Sequence, residues 1–311
     1  MAKTAFVYHP DLLQHDTGDG HPERRSRLQA ILQSASEQSW WDDLLHLQPK
    51  PAPREALLRV HSAGHLNQIE ALDQVNQPVQ VSPDTVGSPG THWAARLAAG
   101  APIAAIDALL NNQADNAFCC IRPPGHHAEN DKIMGFCFLN NAAIAAQYLR
   151  SECKIERVAI IDWDVHHGNG TQNSFESDES VFYFSIHQHP HYPGTGAANE
   201  HGVGKGQGQT LNIPVPAGST DEDFYHHFST TLVPAIDRFQ PHFILLSAGF
   251  DAHYRDPLGQ IMLSTDAYEK LTEFVLELAT RHCQGRLVSL LEGGYDLEAT
   301  AAAATTHIKA L

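Results

Sequence analysis

Short segments of this chain pair carboxylate and imidazole side chains at a spacing that suits metal binding. Asp164 and His166 lie two residues apart, and Asp251 and His253 repeat that spacing. In an extended backbone, residues i and i+2 project to the same side, so both side chains of a pair could converge on one ion. Oxygen and nitrogen ligands without a thiolate suit zinc, and a catalytic zinc keeps three protein ligands and an open position. The spacing alone leaves open whether Asp251 or His253 would be the third ligand.

The adjacent pair His126 and His127 suits proton transfer next to such a metal. The pair follows a stiff Pro-Pro-Gly turn. One imidazole could take and return a proton while the other supplies positive charge, and general acid–base catalysis by one such group is worth about 10²–10⁴-fold. Zinc lowers the pKa of its water from about 15.7 toward about 7, which makes hydroxide available. Tyr295, which follows two glycines, could donate its phenol to an oxyanion.

Motifs for other chemistries are missing from the sequence. No G-x-S-x-G segment offers a serine nucleophile, and no G-x-G-x-x-G segment opens a helix after a strand, so a dinucleotide site is not expected. Cys137 is expected to be a packed residue, because a metal-activated water leaves a thiol nucleophile without a role. The pattern favours metal-dependent hydrolysis.

The candidate groups follow short apolar segments that predict strands. These segments alternate with helical patterns, and strands that are apolar on both faces indicate a mainly parallel sheet covered by helices on both sides. The predicted strands are 5–8, 117–121, 158–161, 181–186, 243–246 and 287–291, and the predicted helices are 23–35, 93–110, 139–150, 224–239, 267–282 and 297–309. Ligands of an open α/β sheet bind beyond the carboxyl ends of its strands. Four of these strand ends carry the groups described above.

Length and charge exclude several classes of protein. The chain has 311 residues, with 36 acidic against 20 basic side chains, a net charge of −16 and 21 histidines. Such acidity disfavours a nucleic-acid binder and fits cationic substrates better. No signal-peptide core and no uncharged apolar run of about 20 residues is present, so we expect no membrane partner. Five cysteines without a C-x-x-C pair argue against a disulfide framework, which favours a reduced, cytoplasmic location.

No linker divides the chain, so a single domain over residues 1–311 is predicted. Its two loosest segments are a Pro/Gly/Ser-rich loop at 77–91 and a long Gly/Pro-rich loop at 187–219. Loops as long as the second are usually functional. This loop could narrow an entrance or mediate assembly into a homo-oligomer.

Taken together, the motifs resemble those of the histone deacetylase superfamily, in family order and over most of the chain. The matching segments are HPERRSRL at 21–28, RPPGHHA at 122–128, GFCFLNN at 135–141, DWDVHHGNGTQ at 162–172, YPGTG at 192–196, GFDAH at 249–253, DPLG at 256–259 and LEGGY at 291–295. The resemblance implies a three-layer arginase/deacetylase-type α/β fold, one catalytic domain and zinc-dependent hydrolysis of an acylated amine. The nearest branch is that of the class II-like bacterial amidohydrolases.

The resemblance also implies two metal sites. Asp164, His166 and Asp251 look like the zinc ligands, which answers the question left open above in favour of Asp251. A monovalent cation, expected to be potassium, would lie beside Asp162, Asp164, His166 and Ser185.

Catalytic roles carry over in the same way. Asp162 looks like the partner of His126, which would supply positive charge. Asn169 would be the partner of His127, as in the class II branch, where class I enzymes carry Asp. An amide does not stabilise imidazolium as a carboxylate does, so His127 is expected to be neutral and to act as general base and then acid. Tyr295 would polarise the scissile carbonyl and bind the oxyanion.

The substrate would lie in a tunnel formed by four residues that match family positions. Gly135 would accept the substrate amine, with Phe136 as one aromatic wall and Tyr192 as the other, where many relatives have a second Phe. Leu258 offers no charge where polyamine-preferring relatives often place Glu. An acyl-lysine peptide or protein is therefore the expected substrate.

Three other functions stay open on the sequence. The first is deacetylation of an acetylpolyamine or another small amine. The second is non-catalytic binding of acyl-lysine or metal, which is disfavoured because no proposed catalytic position is substituted. The third is an arginase-like two-metal site, which is disfavoured because His253 occupies a position where Asp would help to build the second site.

Overall fold

The computed structural model of the protein describes residues 3–18 and 20–311. Its strands are β1 (Thr4–Val7), β2 (Leu45–Leu47), β3 (Val79–Ser82), β4 (Thr85–Gly87), β5 (Asn116–Cys119), β6 (Val158–Asp162), β7 (Val181–Gln188), β8 (Thr210–Val215), β9 (Phe243–Ala248) and β10 (Leu287–Leu291). Its α-helices are α1 (Ser26–Ser36), α2 (Arg54–Leu57), α3 (Ala63–Glu70), α4 (Thr91–Leu110), α5 (Asn141–Ser151), α6 (Asn169–Phe175), α7 (Asp221–His227), α8 (Val233–Phe239), α9 (Ala267–Cys283) and α10 (Leu297–Ala310).

Eight of these strands form a central sheet in the order β2-β1-β5-β10-β9-β6-β7-β8. Every neighbouring pair in this sheet is parallel. The four strands β5, β10, β9 and β6 are buried at every residue, because helices cover both faces. Helices α4 and α5 pack on one face, and α9 with α10 and α1 packs on the other. The predicted three-layer α/β fold with a mainly parallel sheet is confirmed.

Two segments that were predicted to be loops contain strands. The 187–219 segment includes β8, which pairs with β7 at the edge of the sheet. Pro214 interrupts its apolar pattern, and an edge strand tolerates a proline because one side of its backbone needs no partner. The 77–91 segment includes the antiparallel hairpin of β3 and β4. Both predictions of unbroken loop were wrong for these residues.

The helix predicted over 224–239 is present, but it is not α-helical throughout. It consists of α7, a π-helical turn at Phe228–Leu232, and α8. Pro234 has no N–H to donate to the carbonyl four residues earlier, and its ring crowds that carbonyl. The backbone hydrogen bonds therefore span five residues instead of four over this turn, before the α-helix resumes.

Helix α4 is long and apolar enough to cross a membrane by length and composition. In the structure, however, 67% of its apolar window is buried inside the protein. This burial is typical of the core helix of a globular domain, and Arg96 and Asp107 lie within the segment.

Candidate active site

The functional side chains lie at one edge of the sheet because four neighbouring parallel strands end there. The loop after β5 carries His126 and His127; β6 ends at Asp162, the loop after it carries Asp164 and His166, and Asn169 begins α6. The loop after β9 carries Asp251, and the loop after β10 carries Tyr295. These strands are distant in sequence but adjacent in the sheet, so their loops form one site.

Three of these residues form a buried cluster that could hold a metal ion. The ligand atoms of Asp164, His166 and Asp251 all lie within 4.8 Å of one another. His166 Nδ1 is 3.1 Å from Asp164 Oδ1 and 3.2 Å from Asp251 Oδ2. His253 is not part of the cluster, because its Nε2 lies 3.0 Å from Thr265 Oγ1. The geometry thus brings Asp251, and not His253, to the other two ligands.

The electrostatics of this cluster fit a cation. Burial raises the pKa of Asp251, and the charge of Asp164 raises it further. Burial alone would lower the pKa of His166, but its close contacts with the carboxylates of Asp164 and Asp251 raise it to about 9. Asp251 Oδ2 is buried without a hydrogen-bond partner in the described structure. Two carboxylates, one of them with an unsatisfied oxygen, and one imidazole are a donor set that suits zinc.

Backbone amides fix the two carboxylates of the cluster. Gly293 N–H donates to Asp164 Oδ2 at 2.8 Å, and Val165 N–H donates to Asp251 Oδ1 at 2.9 Å. A Cβ at position 293 would lie 2.7 Å from Asp164 Oδ2, which is too close. The close approach of this backbone to the carboxylates of Asp164 and Asp251 therefore requires glycine at this position.

The tandem histidines face different partners, which favours a positive charge on His126 and a neutral ring for His127. His126 Nδ1 lies 3.0 Å from Asp162 Oδ2, and His127 Nδ1 lies 2.8 Å from Asn169 Oδ1. Burial opposes protonation of His126, but the carboxylates of Asp164 and Asp162 outweigh it and raise its pKa well above the ordinary value. Burial lowers the pKa of His127 well below the ordinary value, and nearby imidazoles lower it further. One ring is positioned to carry charge and the other to stay neutral.

Next to the histidines lies a mostly apolar cavity of about 240 Å³. Its lining residues are Asp84, His127, Gly135, Phe136, His166, His191, Tyr192, Leu258 and Tyr295. The four residues predicted to line a substrate tunnel are therefore brought together, with Tyr295 near the histidines. The ring of Tyr295 also lies under the Arg27 guanidinium, 4.9 Å from its centroid.

Two lining residues were not predicted. His191 stacks on the ring of His166 with 5.1 Å between centroids, and its Nε2 lies 2.8 Å from Leu258 O. Asp84 follows the strand β3, in the segment that was predicted to be a loop. His191 precedes the predicted Tyr192 in the chain, and this adjacency was the one signal available for it.

Two buried carboxylates support the strand-end loops. Glu292 Oε2 accepts from Gly125 N–H at 2.7 Å and from His126 N–H at 3.2 Å, so it holds the turn before the tandem histidines. Asp256 Oδ2 accepts from Tyr295 N–H at 2.6 Å. Burial raises the pKa of each carboxyl to about 7.

Ser185, predicted to lie at a monovalent cation site, is the register partner of Asp162 across β6 and β7. Its hydroxyl lies 2.9 Å from His187 Nδ1. The Asp162 carboxylate is engaged from several sides, since its Oδ1 accepts from Asp164 N–H and its Oδ2 accepts from the Tyr183 hydroxyl, each at 3.1 Å.

A parallel α/β sheet whose strand ends gather a metal-type triad, paired histidines and a tyrosine defines a hydrolase of the deacetylase type. The description of the matching family model is "Histone deacetylase domain", and it covers residues 21–311. The chain therefore belongs to the histone deacetylase family.

Individual relatives agree with this assignment. A "probable deacetylase" of Archaeoglobus fulgidus is 40% identical over 95% of this chain and 82% of its own length. A "histone deacetylase-like amidohydrolase" of Pseudomonas aeruginosa is 39% identical over 91% of this chain and 74% of its own length. The crystal structure of the HDA15 HD domain superposes with a TM-score of 0.94 at 36% identity, covering 99% of this chain and 87% of the other.

Proposed function

We propose that this protein is a zinc-dependent lysine deacylase that removes acetyl or other acyl groups from lysine side chains. The observation that carries the proposal is that His166, from the buried Asp164–His166–Asp251 triad, and His127, from the tandem pair, line one mostly apolar cavity. An alkyl chain fits such a lining, and the groups beside it are those that amide hydrolysis needs.

The triad would hold the zinc ion, since its two carboxylates, its imidazole and the unpaired Asp251 Oδ2 fit a cation. When bound, zinc would activate a water molecule and polarise the acyl carbonyl. A potassium ion beside Asp162, Asp164, His166 and Ser185 is the second cofactor that we propose.

The remaining steps belong to side chains of this chain. Neutral His127 takes a proton from the attacking water at Nε2 and later gives it to the leaving amine as the C–N bond breaks. His126, paired with Asp162, supplies positive charge throughout. The phenol of Tyr295 donates to the carbonyl oxygen as negative charge develops on it. The products are a carboxylate and a free amine.

The cavity favours lysine over a polyamine as the acyl carrier. Leu258 lines the cavity and offers no carboxylate to a second ammonium group. The net charge of −16 would attract cationic peptides and polyamines alike, so the choice between them rests on Leu258. The name of the Pseudomonas relative, an amidohydrolase, is compatible with either carrier.

The test is a side-by-side measurement of kcat/KM on an acetyl-lysine peptide, longer acyl-lysine peptides and acetylated polyamines. We expect the peptides to be hydrolysed faster, activity to be lost with a chelator and activity to return with zinc. Leu258→Glu is the matched variant, and it should shift the ratio of rates toward the polyamine. A wild-type preference for the polyamine would replace the first proposal by the second, and a lack of turnover on every substrate would reject both.

A further inference from the structure

The side-chain amide of Asn169 lies between His127 and Glu129. Its Oδ1 is 2.8 Å from His127 Nδ1, and its Nδ2 donates to Glu129 Oε1 at 2.6 Å. The two longer contacts of Nδ2, at 3.5 Å, are also with acceptors, namely His127 O and Met134 Sδ. Asn169 therefore links the carboxylate to the imidazole.

The partners of this amide fix its orientation. An ionised carboxylate only accepts hydrogen bonds, so the NH₂ group of Asn169 has to face Glu129. The carbonyl oxygen of the amide then faces His127, and an oxygen can only accept. His127 Nδ1 therefore carries a hydrogen, and the neutral ring keeps its lone pair on Nε2.

The position of Glu129 is itself fixed through its backbone. Its N–H donates to Lys132 O at 3.1 Å, and its carbonyl lies 2.9 Å from His61 Nδ1. His61 Nε2 accepts from Asn140 N–H at 2.9 Å, so Nδ1 is the donor to Glu129. Within the described structure the Glu129 carboxylate has no hydrogen-bond partner other than Asn169. The Glu129 carboxylate thus makes its one described side-chain hydrogen bond with the Asn169 amide.

We propose that Glu129 is a positioning residue that orients the Asn169 amide and so holds His127 in the tautomer with a free Nε2. The inference rests on the proposed function, in which Nε2 takes the proton from water. An amide alone does not select a tautomer, because it can turn and present either oxygen or nitrogen. Glu129 prevents the amide from turning, because its carboxylate can accept only from the NH₂ group.

The test first replaces the hydrogen-bond acceptor of Glu129 and then introduces a carboxylate at position 169. Glu129→Lys presents only donors, so the amide should turn, its NH₂ should face His127, and the hydrogen should move to Nε2. We expect kcat to fall about 10- to 100-fold, as is typical when such supporting partners are lost. Glu129→Gln still offers an oxygen and should lose much less.

The diagnostic variant is Glu129→Lys combined with Asn169→Asp. A carboxylate at position 169 accepts from both the lysine and His127, and the charge of the lysine offsets that of the carboxylate, so the neutral ring, the original tautomer and most of kcat should return. A residue that only stabilises the fold would give additive losses instead. Glu129→Met, which has a similar size and no acceptor, is the second variant if the lysine is not tolerated, and it should also lower kcat.

A readout independent of turnover is the ¹⁵N shift of the His127 ring, assigned by difference with His127→Gln. We expect an Nδ1–H tautomer in wild type and an Nε2–H tautomer in Glu129→Lys. If wild type is inactive on every acylated amine but the tautomer switches, the proposed function fails and the positioning role stands. If wild type is active and neither the tautomer nor kcat responds to Glu129→Lys and Glu129→Met, the positioning role is overturned.

Discussion

At the scale of single residues, the chemistry depends on how two adjacent imidazoles are made different. His126 faces a carboxylate and His127 faces an amide, at 3.0 and 2.8 Å. Both rings are buried, so these partners, rather than solvent, set their charge. A charged ring and a neutral ring can therefore stand side by side at neutral pH.

Tyr295→Phe removes a single hydroxyl from a side chain that lines the same cavity as His127. Loss of one oxyanion donor typically lowers kcat about 10²–10³-fold, and we expect this range here. Zinc content and the unfolding midpoint should stay at wild-type values, because the triad and the packing of the ring are retained. Steady-state kinetics on an acetyl-lysine peptide provide the measurement.

The matched control for this variant is Tyr254→Phe, at a side chain that is 55% exposed and outside the cavity lining. It should leave kcat and KM unchanged. Wild-type turnover by Tyr295→Phe with metal still bound would contradict the oxyanion role.

The residue pattern predicted the members of the site that carry reactive groups, since their motifs lie directly after strands. It did not reveal Glu129, Asp84 or His191. These three act through hydrogen bonds and stacking across loops, and such contacts depend on where the backbone brings side chains together. The spacing of residues along the sequence does not show which side chains from different loops come into contact.

At the scale of elements, the β3–β4 hairpin holds both aromatic walls of the cavity. Asp84 accepts from Gly135 N–H at 3.1 Å and from the Tyr192 hydroxyl at 2.8 Å. Thr85 Oγ1 accepts from Phe136 N–H at 3.0 Å. Gly135 and Phe136 have φ values of 57° and 65°, a left-handed conformation that a non-glycine residue seldom adopts. The hairpin thus stabilises an unusual backbone on one wall and fixes the other wall through Tyr192.

Asp84→Ala removes both links, so we expect KM for the peptide to rise about tenfold, in keeping with the loss of a hydrogen bond to a charged group. The effect on kcat should be smaller, because the proton-transfer groups do not contact the hairpin. Initial rates over a range of peptide concentrations separate the two constants.

Tyr192→Phe provides the control, because it loses one link and keeps the aromatic wall. Its rise in KM should be smaller, and adding it to Asp84→Ala should cause little further change, since the shared contact is already gone. Independent, additive effects of the two substitutions would contradict a common hairpin link.

At the scale of the whole molecule, many of the 21 histidines are structural and buried in the neutral form. Burial lowers the pKa of His61, His187 and His307 to about 3 in each case. His307 lies between Thr272 Oγ1 and Ser289 Oγ, at 2.6 and 2.8 Å, and joins α10 to α9 and β10. Each such ring makes the fold sensitive to acid.

For His307, the unfolded chain takes up a proton near its ordinary pKa of 6.5, whereas the folded protein does so near 3. Between these values the unfolded state binds one more proton, so the free energy of unfolding falls as pH falls, by about 1.4 kcal/mol per pH unit. His307→Gln binds no proton in either state and should lose this part of the slope. Urea unfolding at several pH values measures it.

Exposed His226 offers the comparison, and His226→Gln should keep the wild-type slope. An identical slope for wild type and His307→Gln would show that this ring does not contribute to acid sensitivity.

The layered architecture was predictable because the central strands are continuous apolar segments and the long helices are amphipathic or apolar. The segments that escaped prediction lie where local rules conflict with the tertiary structure. β8 contains Pro214 and is stabilised by its pairing with β7, and Pro234 follows a π-helical turn inside the helix that the periodicity predicts as regular.

The position of β10 in the sheet bears on the stage of folding at which the candidate active site can assemble. β10 follows every other described strand in the chain, yet it pairs with β5 on one side and with β9 on the other. The tandem histidines follow β5, and the triad follows β6 and β9, so β10 lies between the strands that carry the two groups. Because β10 is synthesised after all of them, we expect the proton-transfer groups and the candidate metal ligands to reach their observed spacing only once residues 287–291 have inserted.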